Sequence, residues 1–141
     1  MSGPGYYEIP GPFIYIVYGP PKAGKFPYVK ENKAEGAPVW QTDKIFEAIT
    51  FEEGKLKSSH WSIDLCMALR ERFIAYLKEP KREVPEAWIV GTMENGKWRR
   101  RVAQELNAET ILVKTDKKTC LEGAEGEEDI KEWIDRWFNK Q

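Results

Sequence analysis

The chain has 141 residues, with 22 Lys and Arg against 23 Asp and Glu; the formal charge of −1 excludes polyanion binding by bulk charge alone. Hydrophobic residues at 41% and six tryptophans argue against intrinsic disorder, and the length fits one domain with an adequate core. Cys66 and Cys120 make no disulfide framework and no Cys/His ligand pattern, no apolar run reaches membrane-spanning length, and no basic n-region with an apolar h-region is visible, so the expectation is a cytoplasmic protein without membrane contact.

Residues 1–12 are rich in Gly, Pro and Tyr and read as an irregular N-terminal arm. Tyr6 and Tyr7 suit contact with a protein partner or self-association. Residues 13–141 read as a single α/β domain. Phe13 to Tyr18 is apolar on both faces and β-branched or aromatic, as in a central strand of a parallel sheet. Gly19 to Gly24 breaks it, and a short helix is expected near Pro27 to Lys33. Val39-Trp40-Gln41 reads as a second strand, and Thr42 or Asp43 as the cap of a helix from Lys44 to Ile49. Residues 50–60 read as a loop. From Ser62 to Lys78, Leu65, Leu69, Phe73 and Leu77 recur every four residues, which predicts a long amphipathic helix capped by Ser59 or Ser62 and ended before Pro80.

Ala87 to Val90 reads as the third strand, ending at Gly91-Thr92. Gly96 to Leu106 is helical, with Asn107 as its stop. Thr110 to Val113 is the fourth strand, and a short helix runs through Cys120 and Leu121. The last helix, Glu127 to Asn139, has the stripe Ile130, Trp133, Ile134, Trp137 and Phe138, expected to pack on the sheet. Strands alternating with helices predict a three-layer, mostly parallel sheet of four to five strands flanked by helices.

Gly19-Pro20-Pro21-Lys22-Ala23-Gly24-Lys25 has the form GxxxxGK. Glycines let backbone N–H groups curl around a phosphate, the following helix N-terminus favours the anion, and the lysine neutralises it. Chance supplies such a spacing in about 4% of chains this long, so its weight comes from its place between a buried strand and a helix. Position 26 is Phe, which has no oxygen for Mg²⁺ where Ser or Thr would supply one. Pro27 disfavours helical backbone at Phe26, which predicts a delayed helix and N–H groups displaced from the phosphate.

On these residues the chain resembles small P-loop kinases and the phage-encoded AAA-type, polynucleotide-kinase-like P-loop proteins. Trp40-Gln41-Thr42-Asp43, Ala87 to Thr92, Thr110 to Asp116 and Cys120-Leu121 follow that pattern, which covers about residues 13–139. The resemblance implies a P-loop NTPase-like fold holding ATP or GTP at residues 19–26. It implies that Lys25 contacts the terminal phosphates and that Asp43 stands near the acceptor hydroxyl as a general base; the other reading of Asp43 is the helix cap above. It also implies the cytoplasm of a host if the protein is phage-encoded. The chain departs from the family at three points. Phe26 carries no hydroxyl, no acid closes the third strand, and residues 122–129 are acidic with no arginine where the kinase lid carries arginines. Phosphoryl transfer depends on positioned cations, so catalysis is expected to be reduced or lost.

Arg99, Arg100 and Arg101 begin a helix on the ligand side of such a sheet. They suit phosphate contacts, or else a solvated helix face with one snorkelling arginine. Nucleic-acid binding through them has weak support at this net charge. His60 has no visible catalytic partner, Cys66 reads as core, and Cys120 near a helix start is expected to be the more reactive thiol. Two functions follow: a nucleotide-binding protein of kinase descent, or a non-enzymatic interaction protein that keeps the P-loop fold.

Overall fold

The computed structural model describes residues 13–52, 60–79 and 83–140. The expected arm at 1–12 with Tyr6 and Tyr7, most of the expected 50–60 loop, Ser59 and Pro80 lie outside the described residues. The elements are β1 (Phe13–Tyr18), α1 (Lys25–Asn32), β2 (Val39–Gln41), α2 (Thr42–Thr50), α3 (His60–Leu77), β3 (Glu86–Gly91), α4 (Gly96–Leu106), β4 (Glu109–Leu112), α5 (Lys117–Gly123) and α6 (Glu128–Lys140).

The four strands form one parallel sheet in the order β2-β3-β1-β4. β1 is central: Ile16 lies opposite Ile89 of β3 and Thr110 of β4, and Val17 opposite Val90 and Ile111. Strand alternation splits its side chains between two faces. Ile14 and Ile16 join Trp40, Ala87 and Ile89 under Ile74 and Leu77 of α3 and Val102 and Leu106 of α4. Val17 joins Trp88 and Val90 under Val29 of α1, and the rings of Tyr15 and Trp88 stack at 4.4 Å. The fold is therefore α/β, with a parallel sheet between helical layers, consistent with a three-layer P-loop-like architecture. A third cluster, Cys120, Ala124 and Ile134, ties α5 and α6 together and includes Ala23 of the loop after β1.

Local signals set several boundaries. The Asn95 side chain accepts from the N–H groups of Lys97 and Trp98 and so starts α4, and Asn107, left-handed at φ 50°, ends it. Three expectations need correction. α1 begins at Lys25, ahead of Pro27, because Pro27 sits in the first turn, where its missing N–H has no intrahelical acceptor to lose. α2 begins at Thr42, and Gln41 at its N-cap position makes no side-chain cap, so neither Thr42 nor Asp43 caps it. On α3 the buried residues are Ser62, Cys66, Ile74 and Leu77, while Leu65 and Leu69 are exposed. A four-residue repeat gains about 40° per step on a helix of 3.6 residues per turn, so only the Phe73 and Leu77 end of the expected stripe meets the core.

Among the described residues no helix is long and apolar enough to cross a membrane. Ile16 is fully buried at the centre of the sheet. Ile16→Ala should cost about 2–5 kcal/mol, read as a lower denaturant midpoint with an unchanged slope. A change within about 0.5 kcal/mol would be surface-like and would contradict this packing.

Candidate functional site

The loop after β1 emerges at the carboxyl edge of the sheet, where ligands of open α/β folds bind. Its shape follows from its glycines. Gly19 passes so close to Val113 that a Cβ there would lie 2.7 Å from the Val113 carbonyl oxygen. Gly24, left-handed at φ 94°, occupies the N-cap position of α1 with open space around it. Between them the Ala23 N–H donates to the Pro20 carbonyl, closing a turn through Pro21 and Lys22, and Lys22 itself is left-handed at φ 66°. Ala23 is buried against α5 and α6, and its carbonyl accepts from the Thr115 hydroxyl at 2.9 Å. Lys22 pairs with Glu127 at 3.0 Å, just ahead of α6. Strand, loop and last helix are thus joined at one place.

Lys25 is the first residue of α1, and its ammonium folds back into the loop. Nζ donates to the carbonyls of Gly19 at 2.9 Å and Pro20 at 2.7 Å. An ammonium has three N–H donors, so one remains for an anion beside the loop. Burial lowers the Lys25 pKa to about 8, against the opposing pull of Cys120 and Asp43. The first-turn N–H groups of Lys25 and Phe26 add to the positive end of the helix dipole, and Pro27 adds none.

These groups line a cleft of about 700 Å³. Its walls are Pro21 to Pro27 on one side, Gln41, Thr42 and Asp43 at the end of β2 and start of α2, Val90 to Thr92 at the end of β3, Glu127 just before α6, and Asp129, Ile130 and Trp133 in it. Asp43 is exposed on the rim, yet partial desolvation and then the charge of Glu47 raise its pKa, with Lys25 and Lys44 opposing. The Gln41 Oε1 atom is buried with no hydrogen-bond partner among the described residues. Pro21 through Phe26 and Asp43 therefore surround one cleft. Gly19 and Pro20 reach it through the carbonyls that hold Lys25.

The arginines lie elsewhere. The Arg99 guanidinium stacks 3.9 Å from the Tyr18 ring centroid and donates to the Met93 carbonyl. Arg100 folds back over Gly96, and Arg101 lies 3.8 Å from Glu105. None of the three is on the cleft wall. His60 is exposed at the start of α3. Cys120 is fully buried, and burial raises its pKa, so the expectation of a more reactive thiol is corrected.

The sequence led to the expectation that the α6 stripe, Ile130 and Trp133 included, packs on the sheet. Ile130 packs against the Cys120, Ala124 and Ile134 cluster and also lines the cleft. Trp133 is 39% exposed and lines the cleft. The signal was the width of the α6 stripe, since 130, 133, 134, 137 and 138 cover more than one buried face. Glu94 accepts from Arg136 through both oxygens and pairs with Lys140 at 3.2 Å, which holds the chain after β3 to α6.

The donors through which the family resemblance implies Mg²⁺ are missing: Phe26 has no oxygen, and β3 ends in Gly91 and Thr92 without a carboxylate. Glu127 is engaged by Lys22, and the cleft's other carboxylates are Asp43 and Asp129. Among the described residues no group of three His, Cys, Asp or Glu could hold a metal ion. The chain matches no family model, and no curated protein matches it.

The Lys25 pKa sets a pH dependence. Near pH 7 Lys25 is already cationic, so anion binding needs no proton; above about 8 binding must take one up. Affinity for a polyphosphate should be level near pH 7 and fall above 8, approaching about tenfold per pH unit. Fold stability has the opposite sign. The unfolded chain, with Lys25 near 10.5, holds that proton more tightly, so the cost of burying the charge is present below about 8 and is relieved as pH rises toward 10.5. Affinity that stays constant to pH 9.5 by calorimetry would contradict a role for the Lys25 charge.

Proposed function

We propose that this chain is a cytoplasmic P-loop nucleotide-binding protein that takes ATP or GTP, with phosphotransfer reduced or lost. The observation that carries the reading is the loop from Gly19 to Gly24, which closes on the Lys25 ammonium at the mouth of the cleft. Backbone N–H groups, a helix N-terminus and a half-buried lysine at the carboxyl edge of a parallel sheet suit a phosphate chain. Asp43 on the rim, within electrostatic reach of Lys25, suits a hydroxyl donor beside the phosphate position. In that arrangement Asp43 would accept the hydroxyl proton, and its raised pKa makes it the stronger base when ionised.

Reduced transfer is supported by what surrounds the phosphate position. Transfer needs several cations fixed around the migrating group. Lys22, the other lysine of the loop, is held by Glu127, and Arg99 is occupied by Tyr18 and Met93. A second reading, a non-enzymatic interaction protein on the same fold, is favoured by exposed apolar side chains on and before α3: Phe51, Trp61, Ile63, Leu65 and Leu69.

Calorimetry with ATP and GTP on wild type and Lys25→Ala tests the first reading. The variant should lose about tenfold or more in affinity, as expected for removing a charge-assisted contact. Equal affinities would dismiss the loop as a phosphate site. Hydrolysis by wild type that disappears in Lys25→Ala would dismiss the non-enzymatic alternative.

A further inference from the structure

Phe26 stands where a metal-binding hydroxyl would follow the loop lysine, and its ring is 40% exposed at the cleft. Two cations converge on it. Lys30 Nζ, one turn further along α1, lies 5.5 Å from the ring centroid, and Lys44 Nζ, from α2, lies 5.7 Å away. Both distances are within cation–π reach. The two ammonium groups come from different helices and meet at one apolar side chain. Lys44 also pairs with Glu47 at 3.3 Å, an exposed contact that salt and solvent weaken.

Lys30 and Lys44 are not on the cleft wall themselves but flank Phe26, which is, and Phe26 directly follows Lys25 of the loop. Asp43, Glu127 and Asp129 also line the cleft, but Glu127 is paired with Lys22 and Asp43 interacts with Lys25 and Lys44. At Phe26 itself a divalent ion would meet two ammonium groups and no side-chain oxygen. A polyphosphate without its metal carries several negative charges and would find cations on both sides of the loop exit. We infer that the cleft takes its polyphosphate ligand as the metal-free anion, with the ammonium groups of Lys30 and Lys44 in place of the divalent cation. This rests on the nucleotide-binding reading and names the ionic form that the site accepts. It also gives a physical reason for weak transfer. A lysine neutralises as a point charge on a flexible stem, whereas a metal bridges the β- and γ-oxygens and fixes them in line.

The test is calorimetric titration of ATP in EDTA and in excess Mg²⁺, on wild type and on the Lys30→Gln, Lys44→Gln double variant. Wild type should bind in EDTA at least as tightly as in Mg²⁺. The double variant should lose roughly threefold to tenfold in EDTA. Both lysines are exposed, so the variant should keep the wild-type melting midpoint. Binding that weakens tenfold or more when Mg²⁺ is removed overturns the inference, as does a double variant that binds ATP in EDTA like wild type. Either result, with affinity still dependent on Lys25, leaves the nucleotide-binding reading standing. If ATP binds in neither buffer, that reading falls and this inference with it.

Discussion

At the end of β1 the backbone runs against the start of the next connection with no room for a side chain. A Cβ on Gly19 would lie 2.7 Å from the Val113 carbonyl oxygen, closer than carbon and oxygen approach without displacing backbone. That contact continues the β1–β4 pairing by one more bond, since the Val113 N–H donates to the Tyr18 carbonyl at 2.9 Å. It turns the loop outward over the sheet edge and leaves the Gly19 and Pro20 carbonyls aimed at Lys25. Ala23, held between α5 and α6, fixes the far side of the same loop. Lys25 depends on both anchors for its position, and the cleft depends on Lys25.

Around that lysine the electrostatics are close to balance. Asp43 and Lys25 stabilise each other's charged forms, while desolvation works against both. The acidic stretch before α6 is not a uniform negative wall over the loop, because Glu127 is paired with Lys22. Burial of the Lys25 ammonium costs stability, a cost that a bound anion would offset. Lys22 and Arg99, cations near the loop, are engaged by Glu127 and by Tyr18 and Met93, which supports the proposal of binding with weak transfer.

Much of the fold was legible because its signals are local. Phe13 to Tyr18 is apolar on both faces because helices cover both sides of β1, and the alternation of strands and helices leads to a parallel sheet. α4 runs from Gly96 to Leu106 and stops at Asn107, as expected from the sequence. Other features depend on tertiary placement. Of the four-residue repeat on α3, Phe73 and Leu77 reach the core, but Leu65 and Leu69 are exposed, and Ile74, outside the repeat, packs with Ile14, Ile16 and Ala87. Pro27 looked like an obstacle to α1, yet the first turn has no bond for it to break. For the site, the loop stood out by its spacing, and Asp43, which the resemblance singled out, lines the same cleft. Trp133 on the cleft wall, the Lys22–Glu127 pair and the approach of Lys30 and Lys44 to Phe26 could not, because each joins elements far apart in sequence or depends on side-chain direction.

The central claim is that residues 19–26 cradle a phosphate chain. Amide-resolved NMR titration of the protein with ATP tests it most directly, because it reports on the backbone N–H groups themselves. The account predicts saturable shifts concentrated at the amides of Lys22, Ala23, Gly24, Lys25 and Phe26, with smaller changes at Thr92 and Asp43 across the cleft. Saturable shifts confined to α3, or no shifts at millimolar ATP, would contradict it.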